Sequence, residues 1–244
     1  MEKKLNDISI SGSGKVAGGE YGNIRISGSG RITDDVICES LHISGSGRAD
    51  NIEAIEVKAS GSFHAGGSVK ANALHVSGSA HIGGAIEGGD IHISGSMHAG
   101  GVISAKTVHV SGSLHAGNGV EADKAVISGG AKIDGLLNAE EIKINLGGKC
   151  AIGEIGGERI QVMKGNNRVN LSFNFLGMFS KKLTFSMLET NSIEGTEVYL
   201  ENTVCPIVRA KRAIIGEGCE IGRIEYEEMI EIHESAAVKE QAKI

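Results

Sequence analysis

Eight of the nine histidines fall into two periodic sets. His64, His81, His98 and His115 recur every 17 residues, as do His75, His92 and His109, and His42 joins the second set two periods earlier. Imidazoles in such sets can do three kinds of work. Neutral rings can ligate Zn²⁺ or a similar ion, a ring can act as a general base, and flat polar rings can stack and solubilise a surface. A metal site needs three or four ligands converging on one point with a second shell behind them, which a straight ladder does not supply by itself. The spacing alone therefore favours stacking, and it assigns no catalytic residue, no metal ligand and no cofactor.

Each histidine keeps a fixed distance from a Ser-Gly-Ser motif. The first residue of each motif serves as a register mark: Ser11, Ser27, Ser44, Ser60, Ser77, Ser94, Ser111, Ser128 and, in a degenerate copy, Asn145. The gaps are 16 or 17 residues throughout. Four residues after the mark stand Lys15, Arg31, Arg48, the four histidines from His64 to His115, Lys132 and Lys149. Two residues before it stand Arg25, His42, Lys58, His75, His92, His109 and Lys143, interrupted by Ser9 and Val126. A Gly/Ser string would ordinarily read as a flexible linker, but a linker keeps no such period.

The elements that must position these side chains follow from the apolar residues. Pairs spaced by two, such as Ile8/Ile10, Ile24/Ile26, Leu74/Val76 and Ile91/Ile93, stand just before each mark. A second set follows it (Phe63/Ala65, Ala80/Ile82, Met97/Ala99, Leu114/Ala116), and a third comes later in the repeat (Val36/Cys38, Ile52/Ala54, Val69/Ala71, Leu137/Ala139). Spacing by two is the strand period with both side chains on one face. The pattern predicts three short strands per repeat, too little chain for antiparallel return. Coiling one repeat per turn stacks equivalent strands and buries all three columns together. The expected fold is all-β: a parallel β-helix, a triangular solenoid of about 17 residues per turn, with Ser-Gly-Ser at a corner where glycine permits the bend. A turn of 17 that slips to 16 departs from the strict hexapeptides of left-handed helices and predicts the right-handed form.

The expected organisation has an N-terminal β-helix of about nine turns at 1–163, a Phe-rich interruption at 164–187, further turns at 188–234 and a polar tail at 235–244. Four of the five phenylalanines lie in "VNLSFNFLGMFSKKLTF". They either pack on the solenoid or form an exposed apolar loop, in which case Phe173, Phe175 and Phe179 would contact a membrane or a partner beside Lys181 and Lys182.

Composition suits a thin solenoid better than a sphere with a thick core. Trp is absent, aromatics are 3%, and there are 37 glycines and a single proline, Pro206. Four cysteines lack Cys-x-x-Cys spacing and read as small core residues in a reducing compartment. The first residues lack an apolar leader and no run matches a membrane span, so the expected location is the cytoplasm. Net charge of −6 argues against nucleic acid as the main partner. Carboxylates form no column of the kind a polysaccharide-cleaving β-helix needs, and "SGSGKVAGG" lacks the spacing of a phosphate loop.

Reiterated "ISGSG" and "VSGS" turns, an insert, and then "SIEGTEVYLENTVCPIVRAKRAIIGEGCEIGRIEY" (192–226) together resemble the long bactofilin-like proteins of Gram-positive bacteria. The resemblance implies a β-helix that polymerises end to end without nucleotide as a cytoskeletal scaffold, with itself, a bactofilin paralogue or the membrane as partners. The density of histidine where such proteins commonly carry lysine is a departure. Independently, a β-helix leaves an open edge at each end. Ile8 and Ile10 mark one expected polymerisation end, and Ile230 and Ile232 the other. The competing readings are a β-helical enzyme acting on polysaccharide or acyl groups, and a binding module using the His/Lys faces.

Overall fold

The computed structural model describes residues 5–165 and 186–244. These contain no helix and form one sheet of 21 strands in which every pairing is parallel. The chain is a β-solenoid of about 13 turns at about 17 residues per turn. One column shows this rung by rung: Ile10, Ile26, Ile43, Ala59, Val76, Ile93, Val110, Ile127, Ile144, Val162, Leu200, Ile215 and Ile232 are successive register partners. All three sets of apolar residues read from the sequence supply the buried core, which is mostly Ile, Val, Leu and Ala with Met97 and four cysteines, and whose largest side chain among the described residues is Phe63.

The three faces are there, but they are made from fewer strands than expected. Through Ile127 most turns have one strand of four residues and one of eight, for example Ser62–Ala65 and Val69–Val76. The longer strand serves two faces. In Ile52–Ala59 the residues Ile52, Ala54, Val57 and Ala59 are buried while Ile55 and Glu56 are not. The inward period slips once from two to three, so the strand turns a corner without leaving the hydrogen-bond ladder. From Gly130 onward a turn is one long strand with two such bends, as in Leu188–Leu200 and Thr203–Ile215. Pro206 sits exposed at one bend, between Cys205 and Ile207, which pair with Ile221 and Arg223. Its missing N–H is tolerated there, where the ladder skips a residue.

The corner glycines are required for a different reason from the one expected. Among the described glycines positive φ is confined to Gly19, Gly119 and Gly218, so the Ser-Gly-Ser bend itself needs no left-handed residue. What excludes a side chain is the turn below. A Cβ on Gly45, Gly61, Gly78, Gly95 or Gly112 would lie 2.0–2.1 Å from the carbonyl oxygen of the preceding corner glycine. The same corner carries rung-to-rung bonds: in one copy Ser77 N and Gly78 N both donate to Ala59 O, and Ser79 N donates to Gly61 O.

Two expectations of register change. Lys132 pairs with Ala151 rather than Lys149, because the turn there is longer and its register shifts between Ile133 and Leu136. At the other end Ala237–Lys243 continues the stack, pairing from Glu220↔Ala237 to Tyr226↔Lys243. The stack also passes the Phe-rich segment in register: Leu146 pairs with Lys164 and Cys150 with Leu188. The chain leaves and rejoins the solenoid at the corner where Ser-Gly-Ser stands in earlier turns. Phe173, Phe175 and Phe179 lie outside the described residues.

Candidate functional site

Register places the histidines as the spacing predicts, each set on one outward column. His64, His81, His98 and His115 are successive partners, as are His75, His92 and His109. His42 is separated from His75 by Lys58. Strand separation in a parallel sheet, about 4.8 Å, fixes the spacing of the rings. The pairs His64/His81 and His81/His98 stack at centroid distances of 5.0 and 4.8 Å with interplanar angles of 2° and 6°. In the second column the distances are 5.2 and 5.6 Å with angles of 13° and 19°. Ring nitrogens point within the ring plane, so parallel rings aim their lone pairs side by side and not at a common point.

The long ladder breaks at its last step. His98 and His115 meet edge to face at 76° with centroids 4.6 Å apart, and their Nδ1 atoms are 3.1 Å apart. The cause is Asp134, two residues beyond the basic residue that succeeds His115 in the column. Its Oδ2 lies 3.0 Å from His115 Nε2, and its Oδ1 is 3.0 Å from Lys132 Nζ. The imidazole and the ammonium together hold the Asp134 carboxyl below its ordinary value. His98 is pushed below the usual histidine value by partial burial, then by the neighbouring His115 and His81 rings, so it favours the neutral form. Asp134 was not singled out by the sequence reading. Its signal is an acidic residue two places past a member of the basic column.

A second polar column went unread in the sequence. Lys124, Glu141, Arg159, Glu197 and Arg212 are successive partners of alternating sign. Lys124 Nζ is 2.8 Å from Glu141 Oε2, and Arg212 reaches Glu197 at 3.8 Å and Glu228 at 3.3 Å. These are solvated pairs worth roughly 0–1 kcal/mol each, and they satisfy one another. Phe63 is buried, which removes it as a sugar platform. The four cysteines are free and buried, and burial raises the thiols of Cys38, Cys205 and Cys219 to about 11.

Most of the partly buried apolar side chains gather at the ends, with Ala105 and Ala122 the exceptions in middle turns. Of the nine half-buried hydrophobics packed against the core, Ile8, Val16 and Tyr21 belong to the first turn, and Ile230, Ile232, Ala236 and Val238 to the last. The strand Glu220–Ile232 is paired on its far side only as far as Tyr226, with Ile244 N donating to Tyr226 O. Among the described residues, therefore, Met229–Ile232 has no strand beyond it. Ile8–Ile10 is likewise paired on one side only, to Ile24–Ile26.

No protein-family model matches the chain, and no solved structure matches it. Among curated proteins, the uncharacterized protein YhbF of Bacillus subtilis (strain 168) is 42% identical over 111 residues, covering 45% of this chain and 42% of that protein. The uncharacterized protein YhbE of the same organism is 32% identical over 114 residues, covering 46% of this chain and 45% of its own length. The chain thus spans less than half the length of the curated relatives it matches, and the case for a function rests on the ladders and the ends.

Proposed function

We propose that the protein is a structural scaffold that assembles end to end, without nucleotide, in the manner of the bactofilin-like proteins its repeats resemble. The observation that carries this reading is that, among the described residues, most of the partly buried core side chains gather in the first and last turns, whose outer strands are paired on one side. A middle turn has strands bonded above and below and its inward-facing side chains mostly buried. The terminal turns have one neighbour, and solenoids that stay monomeric need polar caps there. Ile8 and Ile10 also stand in the same columns as Ile230 and Ile232. A second copy seated head to tail would continue both columns by another rung. The partner is the chain itself, with a paralogue of the same repeat as the natural second candidate. In this reading, attachment of the polymer to a lipid surface or another protein falls to the Phe-rich segment, which joins the solenoid between Lys164 and Leu188. The reading places the filament in the cytoplasm.

The test uses Ile8→Lys and Ile232→Lys, both at half-buried positions. A lysine buried in a junction without a partner costs several kcal/mol, whereas at a free end it reaches water. Wild-type protein should give large assemblies by sedimentation and negative-stain microscopy without added nucleotide. Each variant should keep its β-sheet circular dichroism and lose them. Undiminished filaments from both variants would refute assembly through the ends.

A further inference from the structure

We propose that His98 and His115 form a binding site for a divalent late transition-metal ion, of the Zn²⁺ or Ni²⁺ type, with Asp134 as the group that orients it. Nothing in the filament reading requires this site.

The argument begins with the ring that is out of line. In the other stacked pairs the imidazoles are within 19° of parallel and their nitrogens do not converge. His115 is turned to 76°, which brings two Nδ1 atoms face to face at 3.1 Å. Metal–imidazole bonds of about 2.0–2.1 Å place two adjacent ligand nitrogens roughly 2.9 Å apart at a right angle and roughly 3.3 Å apart at a tetrahedral angle. The observed separation lies between these limits. The pair therefore has the bite of a two-nitrogen chelate. Among the described residues no group of three His, Cys, Asp or Glu side chains converges on a metal position, so water must fill the remaining positions and the site is an open one, unlike the three- or four-ligand sites described above.

Without a metal, the two nitrogens can meet only by sharing a proton. His115 Nε2 faces the Asp134 carboxylate at 3.0 Å, so a neutral ring carries its proton there and presents the Nδ1 lone pair to His98. That is the carboxylate–histidine arrangement that fixes the tautomer of metal-binding rings and raises their basicity. His98 prefers the neutral form a ligand requires. His81, stacked on His98 at 4.8 Å, can reach the ion only by rotating out of the stack. Lys132 opposes binding: its ammonium is 3.4 Å from His115 Nε2 and 3.0 Å from Asp134 Oδ1. The buried, protonated thiols leave the four cysteines unable to compete for the ion in the folded chain.

The experiment is calorimetric titration of the full untagged chain with Zn²⁺ and Ni²⁺ chloride at pH 7.5, alongside variants. The wild type should bind one ion per chain. His98→Gln and His115→Gln should each abolish that binding, Asp134→Asn should weaken it about 10- to 100-fold, and Lys132→Ala should tighten it. His75→Gln, in the other column, should leave it unchanged. Circular dichroism establishes that each variant is folded. No binding by the wild type, binding that survives His98→Gln, or equal loss on His75→Gln would each overturn the proposal.

Discussion

The corner glycines give the sharpest test of how this fold is held together, because the same tripeptide stands in two environments. Gly78 lies mid-stack, and a Cβ there would sit 2.1 Å from Gly61 O. Gly12 lies in the first turn, with nothing within 4 Å of the same construction. Ordinary contact begins at about 3.4 Å, so Gly78→Ala must lift its corner by more than about 1 Å. Three bonds cross that gap: Ser77 N and Gly78 N to Ala59 O at 2.9 and 3.0 Å, and Ser79 N to Gly61 O at 2.9 Å. Lengthened by about 1 Å, all three leave hydrogen-bonding range. At about 1 kcal/mol each the loss is about 3 kcal/mol, near the top of the usual overpacking range. Gly12→Ala should cost the isolated chain less than about 0.5 kcal/mol. Urea unfolding gives the totals. Hydrogen exchange at Ser77–Ser79 gives the local effect, which matters because a solenoid need not unfold in one step. If Gly78→Ala is as stable as Gly12→Ala, steric exclusion between corners is not why the motif contains glycine.

Two further expectations rest on described residues. Deleting residues 166–185 leaves Gly165, Ser186 and Met187 between Lys164 and Leu188, the same three-residue corner that Gly147, Gly148 and Lys149 make between Leu146 and Cys150. The deleted protein should therefore keep its circular dichroism and melt within a few degrees of the wild type, and a large drop would mean the segment supports the core. The second concerns acid. His98 is lowered from 6.5 in the folded chain, so the unfolded chain takes up its proton first as pH falls. The associated stability is complete above about pH 6.5 and is lost as pH falls through the folded value. His98→Gln should flatten the stability profile below about pH 6.5, and an unchanged profile would locate the dependence in other groups.

Periodicity made the solenoid, its core and the two histidine columns legible. Each inward column could be read from the sequence because a residue such as Ile93 occupies the same environment as Val76 and Val110, so the pattern repeats wherever the environment does. The features that escaped are those where translation fails. The ring angle of His115 depends on Asp134, which has no counterpart in the histidine turns before it. Lys149 drops out of the basic column because one turn carries extra chain and the register shifts at Ile133/Leu136. The merging of two faces into one strand was hidden because an inward period of three at a bend looks, in sequence, like the start of a new strand.

The same logic locates function. In the interior of a solenoid every turn is satisfied by its neighbours, so equivalent positions are chemically equivalent, and no middle turn is distinguished from the next. Distinct chemistry requires a place where the repeat is interrupted. Three of the interruptions among the described residues bear on the proposals above: the terminal turns, where half-buried Ile8, Ile230 and Ile232 have a neighbouring strand on one side; the corner between Lys164 and Leu188, where the chain departs and returns in register; and the step from His98 to His115, where a carboxylate faces a ring turned out of the stack. The proposed assembly, attachment and metal binding fall on different interruptions, separated along the axis. A lysine at Ile232 should therefore stop assembly while leaving the metal stoichiometry of the chain unchanged, and loss of both together would mean that the turns are coupled more tightly than nearest-neighbour stacking allows.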